Sequence, residues 1–228
     1  MNKWIIFIEG VLEELPLQIG VFPFGIIYGI MAIESGLTPL QSFFMSSIIF
    51  GGASQIVFVQ LVSSSSPITT ILTSITAINS RHFLYSISMF EFLKKLKLKW
   101  RIILAYLLTD EAYAVSIRKF IKEPNNPLLH YHLLGTGLTL FVSWQIATLT
   151  GILLGGNLPL FLDLQFIIPL TFLAIIMPMI NSISTFCALL SSGFSSLYFK
   201  NLDLSLWILF AGIVGVAIGT ITRKLDKK

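Results

Sequence analysis

The sequence predicts an all-α, polytopic transmembrane helical bundle. Three observations carry that expectation: an apolar composition, a series of apolar runs of bilayer length, and one basic region between them. Of 228 residues, 55% are hydrophobic and only 11% are charged, whereas a soluble domain carries roughly 25% charged residues. Mean hydropathy is +0.86, more apolar side chain than a soluble core of this size can absorb. The natural unit is therefore the span, about 20 residues for a helix crossing the hydrocarbon. Six or seven spans fit, which makes 1–228 a single integral membrane domain.

Residues 1–14 hold Lys3, a short apolar run from Trp4 to Ile8, and then Glu9, Glu13 and Glu14. A cleavable signal needs a basic start, a longer apolar stretch and a small-residue cleavage site, so the segment reads as an interfacial amphipathic helix. Apolar stretches of crossing length follow at Leu15 to Ile33, Leu40 to Val62, Ile68 to Phe90, Leu128 to Leu154, Leu164 to Ile180, Ile183 to Tyr198 and Leu204 to Ile221. Between the third and fourth lies region 91–127, with Lys94, Lys95, Lys97, Lys99, Arg101, Arg118, Lys119 and Lys122. Basic residues concentrate in cytoplasmic loops, which places this region and the basic tail 223–228 inside. Three crossings before Glu91 put the N-terminus outside; a first segment that dips in and returns reverses that. Within the region, Ile102 to Leu108 is apolar but too short to cross, and Thr109-Asp110-Glu111 follows it. A re-entrant or interfacial helix is expected there.

Helix-disrupting residues interrupt several spans: Pro16, Pro23 and Gly25 in the first, Gly51-Gly52 in the second, Pro169 and Pro178 in the fifth. A backbone group freed by such a break survives in lipid only against protein or a wet cavity. Breaks in both halves fit a transporter with discontinuous helices around a central site, while simple kinking fits each break taken alone. No sequence repeat relates the two halves.

The third span holds Asn79-Ser80-Arg81-His82 near its middle. A mid-bilayer guanidinium costs a few kcal/mol, so Arg81 needs a partner unless it lies near the cytoplasmic end and snorkels. If the segment after Leu108 folds back, Asp110 or Glu111 could neutralise it. Gln55, beside Gly51-Gly52, also needs hydrogen-bond partners, and amides exposed at the glycine break could hold a carboxylate. His130 and His132 alternate along a helix and lack a third ligand, which makes them membrane-edge histidines; no metal site is expected. Trp144 and Gln145 in the fourth span line a cavity or simply pack. Cys187 is alone, so no disulfide framework exists. The net charge of +4 lacks the interleaved aromatics of a base-stacking surface, which excludes a nucleic-acid partner. Gly52-Ala53-Ser54 with His82 is faintly similar to the serine and histidine of rhomboid-like intramembrane proteases. Gln55 stands where that motif has glycine, so an enzyme is not expected.

Four motifs in order, Pro16 with Phe22-Pro23-Phe24-Gly25 and Gly29, Gly51-Gly52-Ala53-Ser54-Gln55, Asn79-Ser80-Arg81-His82-Phe83-Leu84-Tyr85, and Thr109-Asp110-Glu111-Ala112-Tyr113, give the chain its resemblance. It resembles the AzlC-type large subunits of branched-chain amino acid exporters over nearly its whole length. The resemblance implies efflux of leucine, isoleucine and valine across a bacterial cytoplasmic membrane, together with a small multi-spanning AzlD-type subunit. No P-loop or other cofactor signature is present, so uphill export would draw on an ion gradient. On the matched motifs, Gly51, Gly52, Gln55 and Arg81 are candidates for the substrate carboxylate, Asn79 for its ammonium group, and Phe22 and Phe24 for its apolar side chain. His82, Asp110 and Glu111 are candidates for proton coupling or ion pairing. A non-transporting membrane scaffold and an intramembrane hydrolase are the other classes.

Overall fold

The computed structural model describes residues 2–155, 180, 182–201 and 207–227, and every regular element among them is helical. The elements are α1 (Lys3–Glu14), a 3-10 turn (Leu15–Leu17), α2 (Gln18–Glu34), α3 (Pro39–Ile48), α4 (Gly52–Ser63), α5 (Ile68–Leu93), α6 (Leu98–Leu107), α7 (Asp110–Lys122), α8 (Leu129–Gly155), α9 (Ile183–Asn201) and α10 (Trp207–Thr222). The chain forms two compact units, Met1–Val59 with Ile78–Leu158, and Gln60–Ala77 with Pro159–Lys228. Apart from Ile180, the expected fifth span with Pro169 and Pro178 lies outside the described residues.

The first unit is organised on α8. Pro16 falls at the start of the 3-10 turn, where its missing N–H costs little, and α2 runs on through Pro23. The result is one helical run, Lys3–Glu34, lying parallel to α8. Gly10 meets the backbone of His132, Gly25 meets Ala147, Gly29 meets Thr148 and Gly151, and Gly155 meets Ile33, so the contacts advance together along both helices. A Cβ at Gly10 or Gly151 would run into a carbonyl of the facing helix, which is why the close approach requires glycine there. The N-terminal segment, expected at an interface, is thus the first part of a helix packed on α8. Gly36, at φ 86°, closes α2 in the left-handed conformation that glycine adopts freely.

α3 opens with Pro39 and a capping box between Thr38 and Gln41, and descends antiparallel to α8. The Tyr28 hydroxyl donates to the Ser42 carbonyl at 2.8 Å, Ser46 and Thr148 share a hydrogen bond of 2.9 Å, and Ser47 donates to Gln145 at 2.9 Å. At the break the Gly51 amide donates to the Ile49 carbonyl at 2.8 Å in a three-residue turn. The chain then reverses. Gln55 Nε2 donates to the Met45 carbonyl at 3.1 Å, whereas unbroken helix would put about 15 Å between positions 45 and 55. The expected span from Leu40 to Val62 is therefore corrected to a helical hairpin with its tip at residues 49–51.

α6 and α7 form a second hairpin. Trp100 on α6 packs on His130 and Tyr131 at 4.9 and 5.3 Å between ring centroids, and Leu107 reaches Gly137, so α6 runs parallel to α8. The Thr109 amide closes a turn on the Leu107 carbonyl at 3.0 Å. On the way back Ser116 meets Thr136 at 3.1 Å, and Phe120 joins Leu129 and Leu133 in one core cluster. Leu107 and Ser116 thus reach neighbouring residues of α8, although straight helix would separate them by about 13 Å. α5 runs alongside α7 in the same sense, with Tyr85 stacked on Tyr113 at 4.5 Å and Phe92 against Phe120 at 5.3 Å.

The two hairpins approach from opposite ends of α8 and their tips meet near its middle. The Tyr106 hydroxyl donates to the Ser47 carbonyl, and Phe50 packs on Tyr106 at 6.0 Å and on Phe141 at 5.3 Å. Among the described residues two helices, Lys3–Glu34 and Leu129–Gly155, are long and apolar enough to cross a bilayer; the expectation from sequence was six or seven. α5 has the length, 26 residues, but carries the polar cluster around Arg81. In the second unit α9 and α10 pack antiparallel, Gly215 on Ser192 and Gly219 on Ala188, and the Ser184 amide donates to Asp226 at 3.1 Å.

Candidate functional site

The tip of the α6–α7 hairpin lies against the middle of α5. There Arg81 Nη1 sits 2.5 Å from Asp110 Oδ2, and the Tyr85 hydroxyl lies near the Asp110 carboxylate. His82 lies near the backbone of Leu108, at the break. Asp110 and Glu111 occupy the first turn of α7, where carboxylates complement the positive end of the helix dipole. The pair is 35% and 32% exposed, so its open side remains reachable. Buried atoms around it lack a partner, among them Arg81 Nε, Asp110 Oδ1 and His82 Nε2. A donor on a cation, an acceptor on an anion and an imidazole nitrogen are together what a zwitterion can satisfy.

Asn79 faces the other tip, its Oδ1 lying 3.5 Å from where a Cβ on Gly51 would stand. α5 therefore touches both breaks, one through Asn79 and the other through Arg81. Around the α3–α4 tip the packing centre is Trp144, which is 3% exposed. Phe24 meets it edge-on at 5.9 Å, Tyr28 stacks on it at 6.2 Å, and Gly52 leaves it room. Gln55 is buried at 0%. Its Nε2 donates to the Met45 and Ile49 carbonyls at 3.1 and 2.7 Å, and its Oε1 accepts from Trp144 Nε1 at 3.1 Å.

The AzlC protein family model matches residues 16–158, a stretch that holds both hairpins, α5 and α8. The chain belongs to the AzlC family. It is 29% identical over 153 residues to the inner membrane protein YgaZ of Escherichia coli K12, a match covering 67% of this chain and 62% of YgaZ. It is 31% identical over 220 residues to a membrane protein of Archaeoglobus fulgidus, covering 94% of each chain. A Helicobacter pylori membrane protein is 29% identical over 104 residues, 45% of each chain. No solved structure matches. With such relatives, this AzlC protein is a membrane protein.

Within this AzlC protein the residues singled out from sequence divide between the two tips. Arg81, His82, Asp110 and Glu111 gather at the α6–α7 tip; Asn79, Gly51, Gly52, Phe24 and Gln55 gather at the α3–α4 tip. Gln55, a candidate for the substrate carboxylate, has its whole amide engaged in bracing the hairpin. Phe24 and Gly52 pack on Trp144, and Phe22 is half-buried on α2. His132, read as a membrane-edge residue, is instead fully buried with its Nε2 3.1 Å from Glu13. The described residues contain no group of three His, Cys, Asp or Glu side chains able to hold a metal ion. Sequence reading missed Glu14 and Gln18, both buried where α1 joins α2. The signal was there in the spacing by four of Ile6, Gly10, Glu14 and Gln18, which puts an acid and an amide on the face that packs against α8.

Proposed function

We propose that this AzlC-family chain is the large subunit of an exporter of branched-chain amino acids, acting with a small AzlD-type subunit in a bacterial cytoplasmic membrane. The observation that carries the reading is the pair of oppositely directed hairpins whose tips meet beside Arg81 and Asp110. Irregular backbone at membrane depth is stable only against protein or a water-lined cavity, and broken helices around a central site are how many transporters hold substrate. Leucine, isoleucine and valine each present a carboxylate, an ammonium group and an apolar side chain. Arg81 suits the first, aided by the backbone amide at Gly52; Asp110 Oδ1 suits the second, and Phe50, Tyr106 and Phe141 suit the third. An ion gradient drives uphill export, with His82 and Glu111 next to the pair that holds substrate.

The test is efflux of labelled leucine, isoleucine and valine from cells expressing the chain with and without its small partner. Faster efflux with the pair is expected, and efflux unchanged by the pair sinks the reading. Orientation gives a second check. α1 and α8 start at the same end of the first unit, beside the basic segment Lys94–Lys99, and the positive-inside rule makes that end cytoplasmic. The N-terminus then lies inside, opposite to the count of three crossings. A reporter fused to the N-terminus is expected to read cytoplasmic; a signal from the other side overturns the orientation.

A further inference from the structure

We propose that Glu14 is the group at which this chain takes up and releases its coupling proton, with Gln18 and Glu111 as neighbours. The inference rests on the transporter reading above. Glu14 is 0% exposed and Gln18 9%. Gln18 Nε2 donates to Glu14 Oε1 at 3.1 Å and to the Glu14 carbonyl at 3.4 Å. That engages the amide's donor end and leaves two acceptors, Glu14 Oε2 and Gln18 Oε1, without any partner.

A buried carboxylate with an empty oxygen needs a cation, a donor or a proton of its own. The basic groups facing α1 from its neighbours are already engaged. Lys119 of α7 pairs with Glu9 and Glu123, and His132 of α8 faces Glu13. The charged group within electrostatic reach of Glu14 from α7 is another carboxylate, Glu111. A buried acid with a second carboxylate within electrostatic reach accommodates a proton, which turns Glu14 Oε2 into a donor; release to water breaks only that O–H bond and restores the carboxylate. Two free oxygens fall short of the coordination shell a metal cation requires, which favours the proton over sodium. Glu111 adjoins Asp110, the partner of Arg81, so the protonation of this site and the occupancy of Arg81 act on the same first turn of α7.

The experiment uses the full chain with its small partner in proteoliposomes. It compares leucine exchange at equal pH on both sides with leucine accumulation driven by an imposed pH gradient. Glu14→Gln is expected to keep exchange while accumulation falls by about tenfold or more, and Glu14→Asp to keep part of it. Accumulation by Glu14→Gln equal to wild type overturns the proposal. So does equal loss of exchange and accumulation, or accumulation that follows a sodium gradient. A wild-type chain that moves no leucine in either mode defeats the transporter reading instead. The melting temperature of the purified chain then decides the site: its pH dependence is expected to be smaller in Glu14→Gln than in wild type, whereas the same pH dependence in both removes Glu14 as a proton site.

Discussion

Arg81→Gln is expected to abolish leucine efflux and to lower the yield of folded chain. The guanidinium is held by Asp110 at 2.5 Å in the middle of α5, and removing it leaves a carboxylate whose other oxygen already lacks a partner. Breaking such a pair from one side costs about 3 kcal/mol in a protein interior or at bilayer depth. Asp110→Asn is expected to lose folded chain similarly, because it strands the arginine. The double variant Arg81→Gln with Asp110→Asn removes both charges, so the yield of folded chain returns while efflux does not. The stability cycle therefore shows a coupling the transport cycle lacks. Size-exclusion profiles of membrane extracts report folding, and labelled leucine efflux per folded molecule reports function. Wild-type efflux from the double variant would remove Arg81 from the substrate site.

The helical class, the need of Arg81 for a partner and the irregular backbone at Gly51-Gly52 were legible in the sequence, because each follows from local composition. The direction of the chain after each break was not. Hydropathy counts apolar residues whether the helix continues or reverses, so residues 40–62 read as one span. What decides the reversal is Gln55, which bonds the Met45 and Ile49 carbonyls and is itself fixed by Trp144, a partner far along the chain. One misread span also changes the parity of crossings. A hairpin contributes none, so in the proposed orientation the N-terminus lies on the cytoplasmic side without any change in the charge rule. Glu14 was obscured differently. Pro16 and three acids suggested a helix ending at an interface, yet proline in the first turn of a new helical segment leaves the run unbroken, and the acid is carried into the packed face.

Gln55→Leu is expected to cost nearly as much as Arg81→Gln in folding and far less in chemistry. Leucine has a similar volume but removes one of the two donors at each of the Met45 and Ile49 carbonyls, which keep the amides of Ile49 and Gly51, and leaves Trp144 Nε1 without an acceptor. At about 1–3 kcal/mol for the stranded indole and about 0.5–1 kcal/mol for each lost carbonyl bond, partly relieved where water reaches the tip, the loss is roughly 2–4 kcal/mol. Trp144→Phe strands only the Gln55 oxygen and is expected to cost about 1 kcal/mol in hydrogen bonding, plus some packing. Gln55→Glu is expected to be worse than leucine, since a carboxylate sets acceptors against the two carbonyls. In all three variants efflux should fall in step with the amount of folded chain, leaving efflux per folded molecule near wild type. That proportionality separates a brace from a binding group. If Gln55→Leu instead folds normally and loses efflux, or changes its dependence on leucine concentration, Gln55 binds substrate, and the amide bonded to the break in this conformation must be released during the transport cycle.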